Sequence, residues 1–280
     1  MKIQNVGIIG QGFVGDALKQ TFSNHYKIYT YDKFQEDLST HKNIFSLSRI
    51  CELLFVCVPT PMKEDGSCDV SIVKDVVQQA CSAGRQNIIA IKSTVPPNTT
   101  KSLQDLCQDS QIVFNPEFLL ERNAEEDFRN TNRVILGGPR PATTRLKQFY
   151  SKIFPNAHII KTDSTVAEMV KYLTNSFLAV KVSFANEMYN ICNSLGIDYD
   201  KVAEYALQDN RLGKTHWAVP GPDGHYGFGG SCFPKDINAL IKVAEKMDIP
   251  SNVISAAWDT NLNVRPEQDW KELKGRAVVE

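Results

Sequence analysis

The segment Gly227-Phe228-Gly229-Gly230-Ser231-Cys232-Phe233-Pro234-Lys235-Asp236 holds the chain's most concentrated chemistry. Its glycines predict a flexible loop that a ligand can approach closely and that takes up positive φ without strain. Pro234 suits the first turn of a helix. Cys232 is therefore expected just ahead of a helix N-terminus, where the dipole favours a thiolate. Lys235 and Asp236 fall in the same first turn. A thiol, a cation and a carboxylate within five residues read as covalent catalysis. Taken alone, the segment also reads as an ordinary loop, with an apolar cysteine and an aspartate facing the dipole. The rest of the chain decides.

A cofactor for such a site is legible at the other end. Val6 to Ile9 reads as a buried strand and runs into Gly10-Gln11-Gly12-Phe13-Val14-Gly15. Ala17, Leu18 and Phe22 recur at helical spacing, and a second strand, Ile28 to Tyr31, ends at Asp32. Strand, GxGxxG, helix, strand and acid in that order form a dinucleotide-binding fingerprint. Gly10 permits the tight turn, Gly12 lets a pyrophosphate approach the backbone, and Gly15 lets the helix pack on the strand. Asp32 can accept hydrogen bonds from a ribose 2′-hydroxyl and would repel a 2′-phosphate, which favours NAD. Lys33 beside it could tolerate a phosphate.

Further apolar runs, Leu53–Val58, Ile88–Ile91, Ile112–Phe114 and Val134–Leu136, alternate with helical patterns at 71–83, 99–107 and 142–153. The fold class is therefore α/β, a Rossmann doubly wound parallel sheet. Such sheets bind ligands beyond the carboxyl ends of their strands. Three polar clusters fall there: Val58-Pro59-Thr60-Pro61, Lys92-Ser93-Thr94-Val95-Pro96, and Asn115-Pro116-Glu117-Phe118-Leu119-Leu120-Glu121. Glu117 and Glu121 would share a helical face if a helix begins at this point.

The second half reads as an all-α domain with one long central helix. Thr165 and Glu168 form a capping-box pattern. Val166, Val170, Leu173, Phe177, Val180, Phe184, Met188 and Ile191 then recur at three- and four-residue steps. They predict a helix of about 30 residues, roughly 45 Å long, fit to be a domain strut and a dimer interface. Lys171 and Asn175 lie four apart on one side of that stripe. Shorter helices follow near 199–208, 235–246 and 252–263. The stretch 209–230 is irregular, and loops of that length usually have a function.

Composition bounds the rest. The 280 residues are 42% hydrophobic and 22% charged, with a formal net charge of −1. That balance implies no general affinity for nucleic acid or anionic membrane. No apolar run approaches a membrane span, and the N-terminus carries no signal-peptide pattern. Seven scattered cysteines without a CxxC pair, and five isolated histidines, argue against a disulfide framework and against a metal site. A reducing, cytoplasmic setting is the simplest expectation.

With these pieces placed, the chain resembles the UDP-glucose/GDP-mannose dehydrogenases. The matching segments run in family order over roughly residues 3–265: GxGxxG with Asp32, Val-Pro-Thr-Pro, Lys-Ser-Thr-Val-Pro, Asn-Pro-Glu-Phe-Leu-x-Glu, Lys171-x-x-x-Asn175, Arg211-Leu212-Gly213 and the cysteine segment. The resemblance implies oxidation of a nucleotide sugar's C6 alcohol to a carboxylate by two NAD+, with UDP-glucose the expected substrate. Cys232 would carry a thiohemiacetal and then a thioester, and Glu117 would be the base for its hydrolysis. Lys171 and Asn175 would stabilise the oxyanion, and Asp236 with Thr94 would position water or move a proton. Thr60, Ser93, Thr94, Glu121 and Lys235, with the fingerprint residues, would lie near the cofactor. Glu117 to Glu121, Lys171, Asn175, Phe228, Gly229, Gly230 and Arg211 would line the sugar nucleotide site. In the family, that arginine reaches the site of a partner subunit, which implies a homodimer through the helical domain.

The expected layout is an NAD-binding domain at 1–162, a helical domain at 163–264, and a tail at 265–280. The tail resembles the linker and opening strand of the family's third, base-binding domain. Asn-Pro-Glu-Phe-Leu-Leu-Glu-Arg lacks the glycine that commonly follows the second glutamate in the family. GDP-mannose or a UDP-N-acetylhexosamine are alternative substrates. A two-electron dehydrogenase of the β-hydroxyacid type and an inactive NAD-binding remnant are the alternative functions.

Overall fold

The computed structural model describes residues 3–107 and 109–280. Among them, seven strands form one sheet: β1 (Asn5–Ile9), β2 (Lys27–Tyr31), β3 (Leu53–Val56), β4 (Ile88–Ile91), β5 (Gln111–Phe114), β6 (Arg133–Gly137) and β7 (His158–Thr162), in the order β2-β1-β3-β4-β5-β6-β7. The helices alternating with them are α1 (Phe13–Phe22), α2 (Ile44–Ile50), α3 (Ser71–Cys81), α4 (Thr99–Leu106), α5 (Ala124–Arg129) and α6 (Arg140–Ile153).

The sheet is buried on both faces, and the alternation along each strand shows it. Ile8, Leu53, Phe55, Ile88 and Ala90 pack with Leu18, Phe22, Leu146 and Phe149 on one side. Ile9, Leu54, Val56, Ile89 and Ile91 pack with Leu47, Val73, Val77 and Leu103 on the other. Two apolar faces per strand explain the continuous hydrophobic runs in the sequence.

The sheet departs from the expected all-parallel pattern at one place. β6 meets β5 antiparallel, through the single pair Phe114 and Gly137. The Asn115 side chain adds a bond, donating from Nδ2 to the Ile135 carbonyl at 2.9 Å. β6 therefore enters from beyond the carboxyl edge of β5, and the chain need not travel back along the sheet. Parallel order resumes with β7.

The cysteine pattern also needs correcting. A disulfide joins Cys81, at the end of α3, to Cys107, just past α4, with Cα atoms 5.8 Å apart. The 26-residue separation hid it, because two helices on one face of the sheet bring their ends together only in the fold. The cysteines therefore carry no argument for a reducing compartment.

The chain divides into two compact units, residues 1–60 with 70–171, and residues 61–69 with 172–280. Helix α7 (Ser164–Leu195) supplies its first two turns to the first unit and the remainder to the second. The second unit also holds α8 (Tyr199–Ala206), α9 (Phe233–Glu245) and α10 (Asn252–Val264). Its buried cores gather Ala179, Phe228, Ile237, Ile241 and Ala257, and separately Ala185, Cys192, Tyr199 and Val219. Met62 donates its N–H to the Ala277 carbonyl and accepts from Val279, so the C-terminal residues lie along the 61–69 segment. No helix among the described residues is long and apolar enough to cross a membrane.

The length of α7 matches expectation, but only Val170, Val180 and Met188 of its apolar stripe pack against the buried cores. Val166, Leu173, Phe177, Phe184 and Ile191 are exposed. The buried face is mostly small or polar, with Ala167, Glu168, Lys171, Asn175, Ser176, Ala179 and Ser183 beside the fully buried Tyr172. The capping box does not form either. Asp163 Oδ1 accepts the Thr165 N–H at 2.9 Å, while the buried Glu168 carboxylate accepts from Asn98 N–H, Thr100 N–H and Thr100 Oγ at the start of α4. Three donors on one carboxylate compensate its burial better than a single capping bond would.

Candidate functional site

The first unit carries a dinucleotide cradle between β1 and α1. Gly10 has φ +91°, and a Cβ there would overlap the Cys57 carbonyl oxygen. A Cβ on Gly15 would overlap the Gly10 carbonyl oxygen. Gly12, the residue capping α1, has φ −70° and nothing within 4 Å of where its Cβ would stand. The backbone thus opens onto free space at a helix N-terminus, which suits a pyrophosphate. Asp32 Oδ2 accepts the Gln11 N–H at 2.7 Å and its Oδ1 accepts from Phe34 and Gln35, so the acid at the end of β2 fixes the glycine turn. Phe13 and Val14 open α1 and pack on the core, and Lys33 is exposed, with its ammonium 5.6 Å from the Phe34 ring. These residues fit a dinucleotide.

The glycines separate stability from binding. Gly12→Ala should leave stability within about 0.5 kcal/mol, since the new methyl meets no protein atom. It should weaken NAD binding at least about tenfold, ~1.4 kcal/mol. Gly15→Ala should cost about 3 kcal/mol or more through overlap with a carbonyl. Thermal melts and NAD titrations read both; equal behaviour of the two variants would contradict the assignment.

The three polar clusters lie at the carboxyl ends of β3, β4 and β5, as expected. Thr60 and Thr94 are buried there, and Ser93 Oγ donates to the Val58 carbonyl at 2.6 Å. Glu117 is buried with Lys171, whose Nζ donates to Glu117 Oε1 at 3.0 Å and to the Glu117 carbonyl at 2.7 Å. Glu117 Oε2 accepts the Leu119 N–H at 2.6 Å. Burial alone would raise this carboxyl, but the Lys171 ammonium, the Leu119 N–H and Lys92 hold it below the usual carboxylate range.

No helix begins at Glu117. Its carboxylate turns back on its own backbone, and 115–120 has no regular structure until a 3-10 turn at Glu121–Asn123. Glu121 and Leu120 are exposed, so the expected shared face does not exist. The Phe118 ring lies under two cations, Arg133 at 4.2 Å and Lys171 at 5.3 Å.

The second unit holds the other cluster. Cys232 is the residue capping α9, with its Sγ 3.8 Å from Ser231 Oγ. One turn on, Asp236 is buried, accepting from Asn175 Nδ2 at 2.6 Å and from the Lys235 ammonium. Burial alone would lower Lys235, but Asp236 and the Cys232 and Cys68 thiols near it push it above the ordinary lysine range. Lys235, expected near the cofactor, is thus an ion-pair partner of Asp236.

The glycine loop is not the flexible segment its composition suggests. Gly227 and Gly230 do have positive φ, +66° and +69°. Yet Phe228 is buried, and side chains from α7 and α10 hold the backbone on both sides of it. Arg211 stands apart, 88% exposed and paired with Asp209.

Sequence reasoning gave several buried polar groups no role of their own, Lys92 and Asn115 among them, although their clusters were named. Lys92 Nζ lies near Asn115 Oδ1 and the Pro116 carbonyl, behind Glu117, and Tyr150 donates to the same Asn115 oxygen at 2.5 Å. Burial pulls Lys92 down to about 8 and pushes the neighbouring Cys57 up to about 12. A lysine directly after an apolar strand was the available signal. Asn186 and Asn261, polar residues within helical patterns, carried none, and neither did Arg265, just past the last one.

Comparison with known proteins adds an independent line. The model of the NAD binding domain of the UDP-glucose/GDP-mannose dehydrogenase family matches residues 26–157, and that of the family's central domain matches 165–263. The UDP-glucose 6-dehydrogenase of Rickettsia bellii is 37% identical over 217 residues, covering 75% of this chain and 49% of the relative. That of Pseudomonas aeruginosa is 38% identical over 218 residues, covering 73% and 47%. The chain spans about half the length of these curated relatives. The structure of a UDP-glucose dehydrogenase from Pyrobaculum islandicum superposes with a TM-score of 0.85 at 26% identity, over 97% of this chain and 70% of that one.

Proposed function

This chain belongs to the UDP-glucose/GDP-mannose dehydrogenase family, and on that footing we propose that it oxidises the C6 alcohol of a nucleotide sugar, UDP-glucose first, to the carboxylate. The observation that carries the reading is Cys232 at the N-terminus of α9, with Lys235 and Asp236 in the next turn and Asn175 of α7 bonded to Asp236. NAD+, held by Gly10 to Gly15 and Asp32, supplies the hydride acceptor.

The C6 alcohol loses one hydride and a proton to become the aldehyde. The Cys232 thiolate adds to that carbon to give a thiohemiacetal, which loses a second hydride to become the thioester, and water then displaces the thiolate to release the acid. The family resemblance gives Asn175 and Lys171 the role of donors to the oxygen that gains charge. Glu117, kept ionised, accepts a proton from the hydrolytic water. Asp236 holds Asn175 and Lys235 in place, with Thr94 assisting proton movement.

The test is NADH stoichiometry with UDP-glucose, GDP-mannose and UDP-N-acetylhexosamines. Two NADH per sugar and a uronate product are expected. One NADH and an aldehyde would place the chain with two-electron dehydrogenases; NAD binding without turnover would make it a remnant.

A homodimer is part of the proposal. The exposed row Leu173, Phe177, Phe184 and Ile191 on α7 gives an apolar face that a second copy would cover, and the exposed Arg211, held by Asp209, would serve the partner's sugar site. Phe177→Glu should shift the chain from dimer to monomer in sedimentation. A wild type that sediments as a monomer would rule the dimer out.

A further inference from the structure

We infer that Asn261 and Arg265, at the C-terminal end of α10, are positioning residues that fix the backbone leading to Cys232. Asn261 is fully buried and pairs with both polar groups of one residue. Its Oδ1 accepts the Phe228 N–H at 2.7 Å, and its Nδ2 donates to the Phe228 carbonyl at 2.9 Å. One residue earlier, Asn186 Oδ1 accepts the Gly227 N–H at 3.1 Å, while its own Nδ2 donates to Val182 at 2.8 Å, which fixes the amide's orientation.

Arg265 lies one helical turn after Asn261, on the same side of α10. It is 2% exposed. Its Nε donates to Asp269 Oδ1 at 2.6 Å and its Nη1 to Asp223 Oδ2 at 2.9 Å, and Asp269 Oδ2 in turn accepts the Gly230 N–H at 3.4 Å. A single guanidinium thus ties the entry of the loop, at Asp223, to its exit, at Gly230.

The glycines follow from these contacts. A Cβ on Gly227 would overlap Asn261 Oδ1, and a Cβ on Gly229 would overlap the Arg265 guanidinium. The loop lacks side chains there because Asn261 and Arg265 approach its backbone so closely. Burying an amide and a guanidinium is costly unless each is fully bonded. Here they are bonded to the segment that ends in the thiol.

The effect on turnover rests on the reading of Cys232 as nucleophile; the backbone restraint does not. The test uses the full chain with Asn261→Asp and Arg265→Lys. Asn261→Asp keeps the shape but sets a carboxylate oxygen against the Phe228 carbonyl. Hydrogen exchange of the 227–230 amides should accelerate at least about tenfold in both variants. Iodoacetamide alkylation of Cys232, read by peptide mass, should slow about tenfold as the thiol loses its place at the helix N-terminus.

With UDP-glucose, kcat should fall about a hundredfold while the KM for NAD stays within about twofold. Unchanged exchange and alkylation in folded variants would overturn the inference. So would rapid exchange of these amides in the wild type, a measurement that stands even if Asn261→Asp fails to fold. Altered exchange and alkylation alongside a wild type that oxidises no nucleotide sugar would uphold the positioning role and remove the dehydrogenase reading.

Discussion

Cys232→Ser is expected to lower formation of the uronate from UDP-glucose at least about a thousandfold, because the hydroxyl is scarcely ionised at neutral pH where a thiol is partly so. The substitution is nearly isosteric at a half-buried position, so the fold and α9 should be unaffected. NAD binding should not change either, since the cradle of Gly10, Gly12 and Asp32 lies in the other unit. The measurement is NADH production together with product analysis, beside an NAD titration. A variant that retains turnover within about tenfold of wild type would remove covalent catalysis through this residue. Loss of turnover together with loss of NAD binding would point instead to a general disturbance.

The second large effect concerns Lys171. Removing its ammonium by Lys171→Met leaves the Glu117 carboxylate buried, with the Leu119 N–H and distant Lys92 in place of an ion pair. Breaking such a pair on one side costs about 3–5 kcal/mol at neutral pH, which for a chain of this size lowers Tm by roughly 10 °C. The pH dependence has a defined sign. In the wild type the Glu117 carboxyl is held below its unfolded value of about 4.3, so its contribution is complete above that value and is lost as pH falls through the folded one.

In Lys171→Met, burial would dominate and raise the carboxyl, so it should take up a proton on mild acidification. The stability deficit should therefore shrink between about pH 7 and 5. The double variant Lys171→Met/Glu117→Gln should recover most of the loss, because no charge is left buried. Its activity should stay low, with the oxyanion donor gone, by about 10²–10³-fold. Melts of the wild type and the two variants across pH check this; a deficit independent of pH would show that lost packing, not the charge, is responsible.

The legible and illegible parts of this chain differ for physical reasons. Strands such as Leu53–Val56 and Ile88–Ile91 are buried on both faces, so they appear as unbroken apolar runs. β7, at the edge with an exposed and half-exposed pattern, gave no such run. The glycine fingerprint was readable because Gly10 and Gly15 answer local steric demands, while Gly12 leaves open space at the start of α1. Helix α7 was readable in length but only partly in orientation. A period of 3.6 reports that two faces differ, not which of them faces inward. Here the inward one carries Lys171 and Asn175.

The pairings resisted for another reason. Lys171 and Glu117 are 54 residues apart, and Asn175 and Asp236 are 61. Residue types announced the chemistry, but nothing local says which of these groups meet.

The short excursion at 61–69 has a consequence for how such chains can be recombined. It interrupts the first unit in sequence yet belongs to the second, where Met62 bonds to Ala277 and Val279 and Gly66 lies against Asn238 and Lys242 of α9. The second unit is thus inherited as two separated pieces of coding sequence. A chimera made with one crossover near residue 171 would join a relative's helices to this chain's Met62 segment, and the backbone pairing would span two ancestries. Exchange of the whole unit takes three junctions, so shuffling between relatives should yield sound hybrids mainly where the 61–69 segment travels with its helices.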